Sequence, residues 1–143
     1  MNSFFSAEEE QKIIEAIAKA ELKTSGEIKL HVESRCWFSP VWRAKRVFES
    51  LEMDRTDEKN GVLIYIAFRS KKFAIIGDTG INKKVGQNFW DSTKEMMQIE
   101  FRKGDFFAGA IKAIDHAGVQ LSRYFPYSHD DNNELTNEVS YGR

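Results

Sequence analysis

One stretch of the sequence restricts the fold more than any other, the run GVLIYIAF at residues 61–68. Apolar residues occupy both the odd and the even positions, so neither side of a strand formed here is suited to contact with water. The run therefore predicts a central strand that is buried on both faces. We expect helices on each side of the sheet to which this strand belongs.

A second strand and a hairpin complete the predicted sheet. Residues 27–33 alternate between apolar side chains on one side and Lys29 and His31 on the other. This alternation predicts a strand with one wetter face, at or near an edge of the sheet. After the central strand, a charged turn leads to a return strand at residues 73–76, so a hairpin is expected.

Helical patterns surround these strands. The first helix begins at a capping box, Ser6 followed by Glu9, in which the two side chains satisfy free backbone N–H groups. The second helix begins at Ser39, which is followed by a proline suited to the first helical position. After the return strand we predict one long helix that ends near residue 104, and a last helix that Asp105 caps and Pro126 stops.

The order helix, strand, helix, strand, strand, helix, helix predicts an α/β domain. We expect a three-layer α/β/α sandwich in which helices cover both faces of a small mixed sheet. The crossover makes the first two strands parallel, and the hairpin adds an antiparallel neighbour. We assign residues 1–126 to this domain and residues 127–143, which are polar and lack periodicity, to a flexible C-terminal tail.

The composition excludes several classes of function. With 21 basic and 22 acidic residues among 143, the net charge is −1, and the basic excess of a nucleic-acid-binding protein is absent. Cys36 is the only cysteine, which excludes an intramolecular disulfide and a thiolate zinc site. The sequence has no signal-peptide pattern, and no window approaches the about 20 apolar residues of a membrane span. We therefore expect a cytoplasmic chain without membrane insertion.

The predicted topology brings several acidic loops to one edge of the sheet. The starts of the two parallel strands and the end of the return strand lie at this edge, so Glu27, the loop 54–60 and the turn 77–80 should converge. We predict a divalent-cation site here, with Ca²⁺ or Mg²⁺ as the ion, because hard cations prefer carboxylate and carbonyl oxygens. The predicted ligands are Asp78, Glu27, Asp54 and Asp57.

Each of these acids also has a structural explanation. Asp78 can form an Asx-turn into the next helix, Asp54 and Asp57 can be solvated loop residues, and Glu27 can pair with a lysine. At the opposite edge, Glu33 and the basic residues of the hairpin turn are interpreted as solvated turn residues. The sequence contains no GxSxG, HExxH, P-loop or dinucleotide motif, so no nucleophile–base pair is predicted.

Four segments resemble the TPM domain family in their order and spacing: LKTSGE at 22–27, NGVLI at 60–64, GDTGI at 77–81 and FRKGDF at 101–106. The resemblance covers about residues 5–126. It implies an α/β/α sandwich, with calcium or other divalent-ion binding in some members. The family includes thylakoid-lumen acid phosphatases, photosystem II repair factors and acetylcholine-receptor modulators. Only the aspartate of GDTGI is carried over as a candidate site residue.

These observations lead to three alternative functions. The first is a divalent-cation-binding domain that acts through an unidentified protein partner, in assembly or maintenance. The second is a metal-assisted acid phosphatase, in which Lys59 or Lys83 steadies the charge of the phosphate. The third is an ion-independent interaction domain whose exposed strand edge accepts a partner strand.

Overall fold

The computed structural model describes residues 4–86, 88–127 and 137–142. Within these ranges the chain forms five α-helices, one short 3₁₀-helix and four strands. The helices are α1 (Ala7–Glu21), α2 (Pro40–Ser50), α3 (Thr79–Asn82), α4 (Asp91–Arg102) and α5 (Phe106–Ser122), and the 3₁₀-helix is Met53–Arg55. The strands are β1 (Glu27–Glu33), β2 (Gly61–Ala67), β3 (Lys72–Gly77) and β4 (Ser140–Tyr141).

The four strands form one mixed sheet in the order β3-β2-β1-β4. β1 and β2 run parallel, with Glu27 opposite Gly61 at one end and Glu33 opposite Ala67 at the other. β3 lies antiparallel on the other side of β2. The predicted parallel pair and the predicted hairpin are therefore confirmed.

Helices cover both faces of this sheet, which confirms the α/β/α sandwich. On one face, alternate residues of the strands such as Leu30 and Ile64 share a core with α1 and α5. On the other face, Leu63 and Tyr65 pack with Val47 and its neighbours from α2. All seven residues of β2 are buried, and each aliphatic side chain buried in this way contributes about 1.5–3 kcal/mol to folding.

The predicted helix starts are present. Ser6 and Glu9 form the reciprocal capping box, with both hydrogen bonds at 3.1 Å. The Ser39 hydroxyl accepts a hydrogen bond from the backbone N–H of Trp42 at 3.2 Å, and Asp105 caps α5. These caps satisfy donors that a helix leaves unpaired at its first turn.

The prediction of one long helix between β3 and residue 104 is wrong. α3 has four residues, and α4 begins only at Asp91. Between them, Val85 and Phe89 pack against the core from an irregular segment, and Trp90 is buried there. The apolar spacing that predicts a helix thus reflects contact with the core, and Gly86 is a poor helix former within the interruption.

The prediction of a wetter face on β1 is also wrong. Lys29, His31 and Glu33 are all buried, and so is every other residue of β1. α2 packs on this face of the sheet, and the Lys29 ammonium reaches the backbone carbonyl of Glu138 at 3.5 Å. The polar residues of β1 therefore lie inside the domain, where they need partners.

Part of the predicted flexible tail belongs to the sheet. Ser140 and Tyr141 pair with His31 and Val32 of β1, and the N–H of Gly142 donates to the carbonyl of Val32 at 2.7 Å. A strand of two residues is too short to produce a periodic signal in the sequence. The rest of the predicted tail between residues 128 and 136, and residue 143, lies outside the described residues.

Candidate functional site

The three acidic loops of the sequence prediction lie together, and we call residues 25–27, 54–60 and 77–80 the loop edge. The Ser25 hydroxyl donates to Glu58 Oε2 at 2.7 Å. The Asn60 side-chain amide donates to the same oxygen at 3.0 Å and to Ser25 Oγ at 3.2 Å. The N–H of Gly80 donates to the carbonyl of Lys59 at 2.8 Å. Parallel pairing of β1 with β2 thus places residues that are distant in sequence in one neighbourhood.

Gly80 permits the backbone of residues 58 and 59 to lie close to the turn at residues 77–80. A Cβ atom on this residue would lie 2.1 Å from the carbonyl oxygen of Glu58 and 2.5 Å from that of Lys59. Both neighbours are backbone atoms, which cannot turn away as a side chain can. Two carbonyl oxygens are consequently held against the turn that carries Asp78.

Asp78 has one satisfied and one unsatisfied carboxylate oxygen. Its Oδ1 accepts a hydrogen bond from the N–H of Thr79 at 2.7 Å, and the residue is the N-cap of α3. Asp78 therefore leads into the next helix as the structural alternative supposed, but its bond is to the adjacent N–H and not to that of residue 80 as in an Asx-turn. Its Oδ2 is buried and has no hydrogen-bond partner among the described residues, and the residue as a whole is 8% exposed. A buried carboxylate oxygen without a donor is costly, at about 1–3 kcal/mol or more.

Glu27 is buried beside a second acid, Glu21 at the end of α1. Glu21 Oε2 accepts a hydrogen bond from the N–H of Ile28 at 2.8 Å, and the two carboxyl groups are hydrogen-bonded to each other. Burial is the main cause that raises the pKa of Glu21, and the charge and hydrogen bond of Glu27 raise it as well; together they outweigh the opposing bond from Ile28 and bring the pKa to about 8. Two carboxyl groups share a hydrogen bond only when one of them carries a proton.

Asp54 and Asp57 lie on the surface of the loop edge. Both side chains are exposed, and Glu58 rather than either of them joins the hydrogen bonds to Ser25. Among the described residues, no three His, Cys, Asp or Glu side chains are grouped so that they could hold a metal ion. The four predicted ligands therefore do not form a ready-made cage, and the cation site stays a prediction.

The opposite end of the parallel strands carries a buried ionic network that the sequence analysis missed. Glu33, interpreted there as a solvated turn residue, accepts two hydrogen bonds from the Arg43 guanidinium at 2.9 and 2.8 Å. The Tyr65 hydroxyl also donates to it, and His31 Nε2 lies 3.1 Å from its Oε1. Burial alone would raise the pKa of Glu33, but the bonds from Arg43, Tyr65 and His31 outweigh it and hold the pKa at about 2.

His31 links this network to β4. Its Nδ1 lies 2.9 Å from the Ser140 hydroxyl, and burial lowers its pKa, so the neutral imidazole is favoured. A Ser–His–carboxylate series is also the order of groups in serine hydrolases. Ser140, however, does not line the open pocket beside the network. We therefore assign these bonds to fastening β4 onto β1.

The open pocket at this end has a volume of about 1170 Å³, and we call it the arginine pocket. It lies where the carboxyl ends of parallel strands meet, the usual position of ligand sites in α/β sheets. Its lining residues are His31, Glu33, Ser34, Arg35, Cys36, Trp37, Phe38, Trp42, Arg43, Arg46, Tyr141 and Gly142. The sequence contains a signal for this site. β1 carries polar residues at alternate positions, although β2, the strand beside it, is apolar throughout.

The fold and its two ends define a small α/β/α sandwich domain with polar groups at both ends of its parallel strands. The sequence matches the TPM domain family over residues 1–120, and the chain belongs to that family. No helix within residues 4–86, 88–127 and 137–142 combines the length and apolar character required to cross a membrane.

Solved structures that are similar to the chain include the following two. BA42 from the psychrophilic bacterium Bizionia argentinensis is 45% identical with a TM-score of 0.92, and the match covers 99% of this chain and 98% of that one. The N-terminal domain of cg2496 from Corynebacterium glutamicum is 11% identical with a TM-score of 0.63, covering 98% and 81%. The second similarity concerns the fold alone. No curated protein matches the chain.

The Glu21–Glu27 pair predicts a loss of stability at alkaline pH. The folded-state pKa of Glu21 lies above its ordinary value of 4.5, at about 8. The stability contributed by protonated Glu21 is therefore complete below pH 4.5 and is lost as the pH rises through about 8. Wild type should lose about 2 kcal/mol of unfolding free energy between roughly pH 5 and pH 9 that Glu21→Gln retains. Urea denaturation across this range measures the difference, with Glu15→Gln on the exposed side of α1 as the control. Equal pH slopes for wild type and Glu21→Gln would contradict the shared proton.

The Glu33 network predicts the opposite pH dependence. Glu33→Gln removes the charge partner of Arg43, which is partly exposed and can rehydrate, so we expect a loss of about 2 kcal/mol near neutral pH. Because the folded-state pKa of Glu33 is held at about 2, this difference should shrink as the pH falls from about 4.5 towards 2. Glu49→Gln, an exposed change on α2, should stay within about 0.5 kcal/mol of wild type. A difference independent of pH would mean that the carboxylate charge is not what stabilises the fold.

Proposed function

We propose that this TPM domain binds a divalent cation at the loop edge and acts through a protein partner. The observation that supports this proposal is the buried Oδ2 of Asp78, which has no hydrogen-bond donor among the described residues. A bound cation would supply a positively charged partner for this oxygen. Asp78 is therefore the anchoring ligand in our proposal, and Ca²⁺ or Mg²⁺ is the ion. The cytoplasmic location expected from the sequence stays a prediction.

The donor set at the loop edge suits a hard cation. Such ions combine carboxylate oxygens with backbone carbonyls and water, and the carbonyls of Glu58 and Lys59 are held close to the turn at Gly80. Glu27, Asp54 and Asp57 remain the predicted additional ligands. Since no three of the described acidic side chains are grouped around one point, we expect binding to be weak unless the loop rearranges, and water to complete the coordination.

Titration of the metal-free protein with Ca²⁺ and Mg²⁺ tests this proposal. Amide chemical shifts should change in residues 25–27, 54–60 and 77–81, and the changes should disappear in Asp78→Asn. The matched control is Asp115→Asn, which removes an exposed carboxylate from α5 and should leave the titration unchanged. Shift changes of the same size in Asp78→Asn, or none in wild type, would refute the cation site.

A second candidate function is a metal-assisted phosphatase, because a cleft with three lysines adjoins the same turn. The cleft has a volume of about 370 Å³, and its lining residues are Glu58, Lys59, Thr79, Gly80, Lys83, Lys84 and Phe125. Lysine ammonium groups attract a phosphate as point charges. A cation bound at Asp78 would neutralise the phosphate and activate water. Water would form a bond to phosphorus while the ester P–O bond breaks, and the leaving oxygen would take a proton.

Hydrolysis of p-nitrophenyl phosphate with and without Mg²⁺ tests the phosphatase activity. We expect Asp78→Asn and Lys83→Ala each to lower kcat/KM by about tenfold or more, which corresponds to about 1.4 kcal/mol of transition-state stabilisation. Lys94→Ala on α4 is the control for removal of a lysine elsewhere. If turnover survives in both variants, the activity does not arise at this cleft.

A further inference from the structure

Large apolar side chains are exposed on the segment that borders the arginine pocket; three of them line the pocket, and Val41 lies beside them in the sequence. The exposed fractions are 75% for Trp37, 54% for Phe38, 44% for Val41 and 51% for Trp42. They lie within a segment of six residues at the end of β1 and the start of α2. Monomeric proteins seldom expose a contiguous group of this kind unless it has a function. We call these four residues the aromatic rim.

The surroundings of the aromatic rim are positively charged. Residues 34–48 contain Arg35, Arg43, Lys45 and Arg46 and no acidic residue, although the whole chain has a net charge of −1. Within the part of the chain that the structure describes, Glu33 is the only acidic partner of these cations, and it holds Arg43 from inside the domain. Local excess charge of this kind attracts a ligand of the opposite sign.

The rings and cations of the rim are already arranged against each other. The Arg35 guanidinium lies over the Trp37 ring at 5.4 Å, and that of Arg46 lies over the Trp42 ring at 5.2 Å. The rings of Phe38 and Trp42 meet edge to face, with centroids 4.9 Å apart. A surface that is ordered before binding loses less conformational entropy when it binds.

The backbone of the rim is also held in place. The N–H of Cys36 donates to the Ser70 hydroxyl at 2.9 Å, and the Lys72 ammonium donates to the carbonyl of Phe38 at 3.0 Å. The first bond connects the residue just before the rim to the turn between β2 and β3, and the second connects the rim to the first residue of β3. The Glu33 network below fixes Arg43, whose side chain is 38% exposed, as part of the pocket floor. The rim is therefore a supported surface rather than a loose loop.

We propose that the aromatic rim and the arginine pocket dock an acidic segment of a protein partner that carries an apolar anchor residue. Tryptophan and arginine are the residues most enriched at energetic hot spots of protein interfaces. The apolar anchor would contact the rings, while carboxylates of the segment would pair with Arg35 and Arg46. The concave shape and the polar floor formed by Arg43 favour an inserted side chain over a flat lipid surface. This inference rests on the partner-mediated part of the proposed function and uses no residue of the loop edge.

The test is fluorescence anisotropy of the full chain with a short labelled peptide in which a Phe-Leu pair is flanked by Asp and Glu residues. We expect saturable binding that weakens with added salt, since exposed charge pairs are screened. Trp37→Ala, Trp42→Ala and Arg35→Glu should each weaken binding by about tenfold or more. These side chains are exposed, so their replacement should leave the fold intact.

Matched variants separate this surface from the rest of the molecule. Leu22→Ala removes an apolar side chain that is 67% exposed elsewhere, and Lys19→Glu reverses an exposed charge on α1; both should bind the peptide as wild type does. Asp78→Asn should also bind normally, with or without EDTA, so failure of the cation site and failure of this docking surface are distinguishable.

Several outcomes would overturn the proposal. They are absence of saturable binding, equal binding of a peptide with Asn and Gln in place of its acids, and equal binding by the rim variants. Rim-dependent binding to phosphatidylserine vesicles or to a single-stranded oligonucleotide, without binding of the peptide, would assign the surface to another class of partner.

Discussion

β2 is buried along its whole length, and the rest of the architecture follows from that requirement. A strand with apolar side chains on both faces is stable only when each face is covered. α1 and α5 cover one face and α2 covers the other. With both faces closed, the ends of the strands are the places where polar groups from several elements meet. The loop edge and the arginine pocket are these two ends.

The two ends solve the problem of a buried carboxylate in different ways. Glu33 keeps its negative charge because Arg43, Tyr65 and His31 supply hydrogen bonds to it. Glu21 instead favours its protonated form, since burial and a neighbouring acid raise its pKa. Desolvation acts on both groups, and the availability of donors decides which form is stable. Glu33 therefore stabilises the domain in its charged form, whereas Glu21 does so in its protonated, neutral form.

The sequence was sufficient for the fold class and for one of the two ends. The run at 61–68 predicts the central strand, and the helical crossover that makes β1 and β2 parallel brings the loops around Asp78 together. The polar residues at alternate positions of β1 gave a signal for the other end, but local patterns could not identify which residues pair there. Glu33 and Arg43 are ten positions apart on different elements, and neither lies in a recognisable motif. The break before α4 was missed because residues that pack on a core from an irregular segment imitate helical spacing.

The position of β4 in the chain determines when, during synthesis, the arginine pocket can be completed. Ser140 meets His31 across 109 positions of the chain, and Tyr141 and Gly142 form one wall of the arginine pocket. At about 5–20 residues per second, a ribosome adds the segment carrying β4 roughly 5–20 s after β1. During that interval the central sheet can already form, whereas the pocket still lacks this wall. A nascent chain therefore lacks the complete pocket until the segment that carries β4 has been synthesised.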